Sequence, residues 1–259
     1  MTEPAATTAA TEGRDWSAKA AGWAELWASL AQPAREAVAE AAAIGPGMRV
    51  LDVGCGTGEL CALATSRGAV ASGLDAAEGM IAIARRRLPG ADLRVGAMER
   101  LPWDDGSFDL VTAFNAFQFA ADFGAALAEA ARVTRPGGQI AVCNWGRLED
   151  RELFVVLGRL RELEPPGPRT PPGPAIGEPG VLEDLARDAG LAPVRADEVD
   201  VPYEVPDDAT LERALRADAS EHVSGDALRQ LIAEVAAPFR RSDGSYRFEN
   251  RFRYVIARR

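Results

Sequence analysis

The chain reads as an α/β protein built on a doubly wound, mostly parallel sheet, and three observations predict it. A short apolar run, Val50-Leu51-Asp52-Val53, ends in a glycine-rich turn, Gly54-Cys55-Gly56-Thr57-Gly58, that opens into a helical stretch from Glu59. A second short run, Ala69 to Leu74, closes on an acid, Asp75, about 20 residues after Gly54, the spacing of the two halves of a nucleotide-binding βαβ unit. Further apolar runs at 108–111 and 139–145 alternate with segments of helical period, as strands joined by crossover helices do.

Taken in order, residues 1–14 are rich in Ala and Thr and are expected to be disordered. Residues 15–45 read as a helical cap carrying Trp16, Trp23, Leu26, Trp27 and Leu30, then Ala34, Val38 and Ala42 after Pro33. Each tryptophan either closes over a ligand or packs as part of an ordinary amphipathic helix. Residues 46–146 form the core. Glycine tolerates positive φ and lets a ligand come close to the backbone, so the turn at 54–58 is a cradle backed by the free N–H groups of a helix start. Glu59 stands where the dinucleotide pattern G-x-G-x-x-G wants its third glycine, and an acid there would repel a pyrophosphate. No G-x-x-x-x-G-K-[ST] is present, so a ligand without phosphates is expected. Ala77 to Leu88 is a helix with Arg85, Arg86 and Arg87 in its last turn. Asn115 and Gln118 are amides in the aromatic run Phe114 to Phe119, at the carboxyl edge of the fourth strand where such folds bind ligands. Gln118 could instead cap the next helix, for which Asp122 is an N-cap candidate. Arg135-Pro136-Gly137-Gly138 ends that helix ahead of the strand 139–145.

These motifs, over about residues 48 to 146, resemble those of the class I S-adenosylmethionine-dependent methyltransferases, in the group similar to the ubiquinone/menaquinone biosynthesis methyltransferases. The resemblance implies a Rossmann-like seven-stranded, mostly parallel sheet with an antiparallel last strand and helical lid insertions. It implies S-adenosyl-L-methionine as cofactor, with S-adenosyl-L-homocysteine as product. Asp52, Gly54, Gly56, Thr57 and Gly58 would form its cradle, Asp75 and Ala76 would meet the ribose, and Met80, Ala97, Met98 and Glu99 would line the adenine. Asn115 would face the methionyl part and Gln118 would point toward the acceptor. At Ala97 the family usually has an acid that contacts the adenine amino group; here Glu99 or the backbone of Met98 would have to serve, or Glu99 is a solvated loop acid.

The remainder is expected to choose the substrate. Residues 147–190 read as a helical lid, with Leu153, Val156, Leu157 and Leu160 on one stripe, followed by a linker at 164–179 dense in proline and glycine. Residues 191–259 hold the last two strands, Val199 to Val205 and Tyr246 to Ile256, with two lid helices inserted between them. The only histidine of the chain, His222, lies in that insertion; it is either a catalytic base or an exposed histidine of a connector. Tyr203, Tyr246 and Tyr254 are weaker candidates for the base.

A net charge of −10 argues against nucleic acid as a partner. Cys55, Cys61 and Cys143 have no zinc spacing and read as reduced interior residues of a cytoplasmic protein, with no metal expected. No apolar run is long enough to cross a membrane. The expectation is methyl transfer to an O, N or C centre of a small, largely apolar metabolite of the secondary-metabolism kind, the protein being possibly a homodimer. The alternatives are an enzyme that keeps the cofactor for non-methylating chemistry and a non-catalytic binding protein on the same fold.

Overall fold

The computed structural model describes residues 4–165 and 175–259. Its strands are β1 Arg49–Val53, β2 Val70–Asp75, β3 Asp92–Val95, β4 Phe108–Phe114, β5 Thr134–Trp145, β6 Ala192–Asp200, β7 Tyr203–Val205, β8 Tyr246–Phe248 and β9 Arg251–Arg258. Its α-helices are α1 Pro4–Gly22, α2 Gln32–Ala41, α3 Glu59–Ser66, α4 Glu78–Arg87, α5 Phe123–Val133, α6 Leu153–Glu162, α7 Val181–Asp188, α8 Asp208–Asp218 and α9 Gly225–Leu231.

Seven strands form one sheet in the order β3-β2-β1-β4-β5-β9-β6. β1 pairs in parallel with β2 and β4, as do β2 with β3 and β4 with β5, while β9 runs antiparallel between β5 and β6. Strand order therefore reverses between β1 and β4, which opens a crevice above their carboxyl ends. The central strands are apolar on both faces because both are covered. On one side Val38, Ala64 and Ile81 of α2, α3 and α4 pack on Val50, Leu110 and Ala141. On the other, Leu127 and Ala130 of α5 with Leu182 and Ala186 of α7 pack on Val111, Ile140 and Val255. A third core lies off the sheet, where Trp27, Leu153, Leu160, Leu215, Leu231 and Phe248 meet.

The seven-stranded, mostly parallel sheet is as expected, and four details correct the sequence reading. Residues 4–14, expected to be disordered, belong to α1, whereas 1–3 lie outside the described residues. The alanine-rich run has high helix propensity, and small residues let the helix sit close on the core. A Cβ on Gly13 would stand 2.4 Å from the Ala76 carbonyl oxygen, and Ser17 Oγ accepts from Gly79 N at 3.1 Å. Most of the expected linker, residues 166–174, also lies outside the described residues. Helix α7, assigned to the lid, instead covers the sheet.

The last two strands each break in two. β7 and β8 leave the main sheet and pair with each other in a separate two-stranded sheet. Pro202 offers no N–H to a ladder. Beside it, Val201 N donates to the Asn250 carbonyl at 2.8 Å, and Asn250 Oδ1 accepts from Leu153 N at 3.1 Å. Both chains turn there together. Finally, the charged face of β9 is not all exposed: Arg253 is buried and paired with Glu183 of α7 at 2.5 Å.

Candidate functional site

The turn after β1 is held open by its backbone. Gly54 has φ +73° and Gly56 φ +53°. Gly54 N donates to the Leu74 carbonyl at 2.7 Å, and a Cβ at Gly54 would lie 2.3 Å from that of Ala116. At Gly56 nothing stands within 4 Å of an added Cβ, so that face is clear for a ligand. Gly56 N and Ala77 N each donate to the Asp75 carboxylate at 2.8 Å, which fixes the acid at the end of β2 across the crevice. Burial raises the pKa of Asp75, and these backbone donors oppose the rise.

Beneath the turn Asp52 is buried and accepts from Thr112 Oγ1 at 2.7 Å. Desolvation pushes its pKa up to about 7 against the pull of Thr112 and Arg35. Arg35, on α2, was not anticipated. It is buried, donates to the Ala28 carbonyl and to Gln32 Oε1, and has burial as the main cause lowering its pKa. No carboxylate forms an ion pair with it among the described residues, although Glu59 and Asp52 lie near enough to favour its charge. One signal was available: Arg35 shares a helical face with Ala39 and Ala42, so a cation interrupts an otherwise apolar stripe.

Glu59 lies on the cavity wall but is paired with Arg87, which also donates to the Thr57 carbonyl at 2.8 Å. Its charge is therefore answered within the protein. The case against a pyrophosphate rests on glycine spacing and no longer on repulsion by this acid.

Turn, acid and lids enclose one cavity of about 1110 Å³. Of the residues expected at the site, Asp52, Gly54, Gly56, Asp75, Ala76, Met80, Ala97, Met98, Glu99, Asn115, Gln118 and His222 all line it. Thr57 and Gly58 do not. The Thr57 side chain is fully buried and donates to Glu59, and Gly58 caps α3. Asn115 has φ +47°, and its buried Oδ1 meets no partner in the protein. A left-handed backbone and a buried acceptor without a protein partner set Asn115 apart on the cavity wall. Gln118 does not cap the following helix; Asp122 does, accepting from Ala125 N at 3.0 Å. Gln118 Oε1 instead accepts from Asn144 Nδ2 at 3.0 Å. Glu99 Oε1 accepts from Ala121 N at 2.8 Å, so one oxygen ties two loops together.

The far wall comes from the cap and the lid. Trp16 meets Trp23 edge-on at 5.2 Å and Phe119 at 5.7 Å, while Trp27 stacks on Tyr203 at 4.9 Å. His222 sits exposed at the rim, on the connector between α8 and α9, with Nδ1 3.4 Å from Ser220 Oγ. Of the tyrosines, Tyr203 donates to the Leu26 carbonyl at 3.0 Å and Tyr246 to Asp208 at 2.7 Å, and burial raises the pKa of all three. They pack; they do not face the cavity. The three cysteines are buried and unpaired. Among the described residues no cluster of His, Cys, Asp or Glu could hold a metal, and no helix is long and apolar enough to cross a membrane.

Residues 51–142 match the family described as a methyltransferase domain. Over those residues the chain is similar to methyltransferases. The demethylmenaquinone methyltransferase of Parafrankia sp. (strain EAN1pec) is 40% identical over 144 residues, covering 48% of this chain and 57% of that protein. The malonyl-[acyl-carrier protein] O-methyltransferase of Serratia marcescens is 37% identical over 147 residues, covering 56% of this chain and 53% of the relative. The chain thus spans little more than half the length of these relatives. Two solved structures share the fold across most of the chain. A putative methyltransferase (BH2331) from Bacillus halodurans C-125 has a TM-score of 0.60 at 18% identity, covering 86% of this chain and 97% of that one. The [4+2]-cyclase SpnF has a TM-score of 0.59 at 21% identity, covering 90% and 83%.

Proposed function

We propose that the methyltransferase domain acts on a small, largely apolar metabolite, transferring a methyl group to an O, N or C centre by in-line displacement. The observation that carries this reading is the continuity of the cavity. Its polar end holds the glycine turn and Asp75, and its other end is walled by Trp23, Trp27, Trp145, Phe154, Leu157 and Leu160. An apolar acceptor buried there would sit beside the donor with water excluded, and alignment of two partners can supply most of the rate.

The residues fit the cofactor at both ends. The clear face of Gly56 admits the nucleoside, and Asp75 is placed to accept from ribose hydroxyls. Arg35, a buried cation with no ion-pair partner among the described residues, would receive the carboxylate of the methionyl group, with Asn115 Oδ1 accepting from its ammonium. When bound, S-adenosylmethionine supplies an electrophilic methyl on a sulfonium. His222, at the acceptor end, would take a proton from an acceptor hydroxyl or amine. Chemistry on nucleic acid is disfavoured by the acidic balance of the chain, and the protein would work in the cytoplasm without a metal.

The test is mass spectrometry of a metabolite extract incubated with the protein and methyl-labelled S-adenosylmethionine. A labelled product with stoichiometric S-adenosylhomocysteine is the expected result. Product without S-adenosylhomocysteine would move the assignment to non-methylating chemistry, and binding without any product would leave a non-catalytic domain. If His222→Ala turns over at the wild-type rate from pH 6 to pH 9, the base is elsewhere.

A further inference from the structure

We infer that Glu12, on the N-terminal helix, reads the adenine amino group of the cofactor and replaces the acid missing at Ala97. The inference rests on the proposed cofactor site and adds a residue to it that lies outside the matched domain. Three observations converge. First, strands β1, β2 and β3 lie side by side, and all three have residues at or just beyond their carboxyl ends on the cavity wall: Gly54 and Gly56, Asp75 and Ala76, and Ala97 to Glu99. With strands about 4.8 Å apart, a nucleoside whose ribose meets Asp75 extends its base toward the end of β3. There Ala97 offers no side-chain acceptor, and one oxygen of Glu99 is committed to Ala121 N.

Second, the middle of α1 is seated over this end, while its last turn reaches α8, where Lys19 pairs with Asp218 at 3.3 Å. Gly13 packs on the carbonyl of Ala76, the residue after the ribose acid, and Ser17 binds Gly79 N at 3.1 Å. Trp16 packs with Met80 and meets Phe119 at 5.7 Å. Third, Glu12 lies one helical turn before Trp16, lines the same cavity, and is half-buried. Burial, then the neighbouring Asp15, raises its pKa, while Trp16 and Lys19 oppose the rise. An acid one residue from the Ala76 contact, facing the cavity beside an aromatic wall, is placed to accept from an exocyclic amine. The helix would thus bring to the base what β3 lacks.

The test compares binding of S-adenosylhomocysteine with that of S-inosylhomocysteine, which carries a carbonyl in place of the amino group, by isothermal titration calorimetry. A site built to accept from the amine rejects the carbonyl, so the wild type should prefer the adenosyl ligand by about tenfold or more. Glu12→Ala should bring the two affinities to within about threefold, and Glu12→Ala combined with Ala97→Asp should restore the preference. Glu12→Gln, whose amide can turn either way, is the near-isosteric check and should also lose the preference; circular dichroism confirms the fold of each variant. Full retention of the preference in both Glu12 variants would overturn the inference. Failure of the wild type to bind either ligand would instead overturn the cofactor site on which it rests.

Discussion

Asp52 is a carboxylic acid held in a place that suits its neutral form. It accepts from Thr112 and lies within the field of Arg35, yet burial still pushes its pKa up to about 7, against about 3.9 in an unfolded chain. Between these values the folded state binds more protons than the unfolded one, so this group costs stability as pH rises from about 4 to 7. Asp52→Asn removes the titration and keeps an oxygen for Thr112. The difference in Tm between variant and wild type should therefore grow in the variant's favour from pH 5 to pH 8, as thermal melts across that range would show. Asp75 is raised by burial too, but it is held by two backbone donors and lines the cavity. Asp75→Ala should weaken S-adenosylhomocysteine binding about tenfold or more, for the loss of charge-assisted hydrogen bonds of about 1.5–3 kcal/mol each, and should also lower the ligand-free Tm, because Gly56 N and Ala77 N lose their acceptor. Both acids were legible in the sequence because strand, acid and glycine are neighbours in the chain. Arg35 was not, because what makes it unusual is the missing ion-pair partner, a property of the assembled cavity.

Among the elements, α7 and β9 are joined by a buried ion pair. Arg253 and Glu183 have side chains 7% and 15% exposed. Removing one partner leaves the other charged in an apolar setting, so Glu183→Ala should lower stability by about 3 kcal/mol in urea unfolding. The alternation of side chains in β6 to β9 predicted this region well in one respect: Tyr203, Val205, Tyr246, Phe248, Phe252, Tyr254 and Ile256 are all buried. It did not reveal the breaks, since period two continues straight across Val201 and Asn250 while the hydrogen-bond partner changes. Nor did it reveal that Arg253 is covered, because α7 reaches that face from another part of the chain. The first part of α1, residues 4–14, was missed for a related reason. The anchors of the helix are Gly13 and Ser17, small residues that look featureless until Ala76 and Gly79 are placed against them.

For the whole molecule, one cavity is built from three separate parts of the chain, so ligand and fold should be strongly linked. A ligand at about one hundred times its Kd adds about 2.7 kcal/mol to the folded state. In a chain of this size that is roughly 5–10 °C in Tm, at about 2–4 °C per kcal/mol. S-adenosylhomocysteine should produce a shift of that order in differential scanning fluorimetry, and ATP should not. The same linkage explains what could be read in advance. The cofactor end is composed of short-range motifs between residues 50 and 75 and was visible; the acceptor end is composed of contacts between residues far apart, such as Trp27 with Tyr203 and Lys19 with Asp218.

The paired break at Val201 and Asn250 has a consequence for how such a protein diversifies. Two adjacent strands leave the sheet at one point, and everything between them, α8 and α9 included, hangs on that double stem. A graft that replaced residues 203–248 with the corresponding segment of another enzyme would cut the chain only where it already changes partners. The sheet would keep its register, and the pocket would inherit a new taste in acceptors while the donor stayed the same.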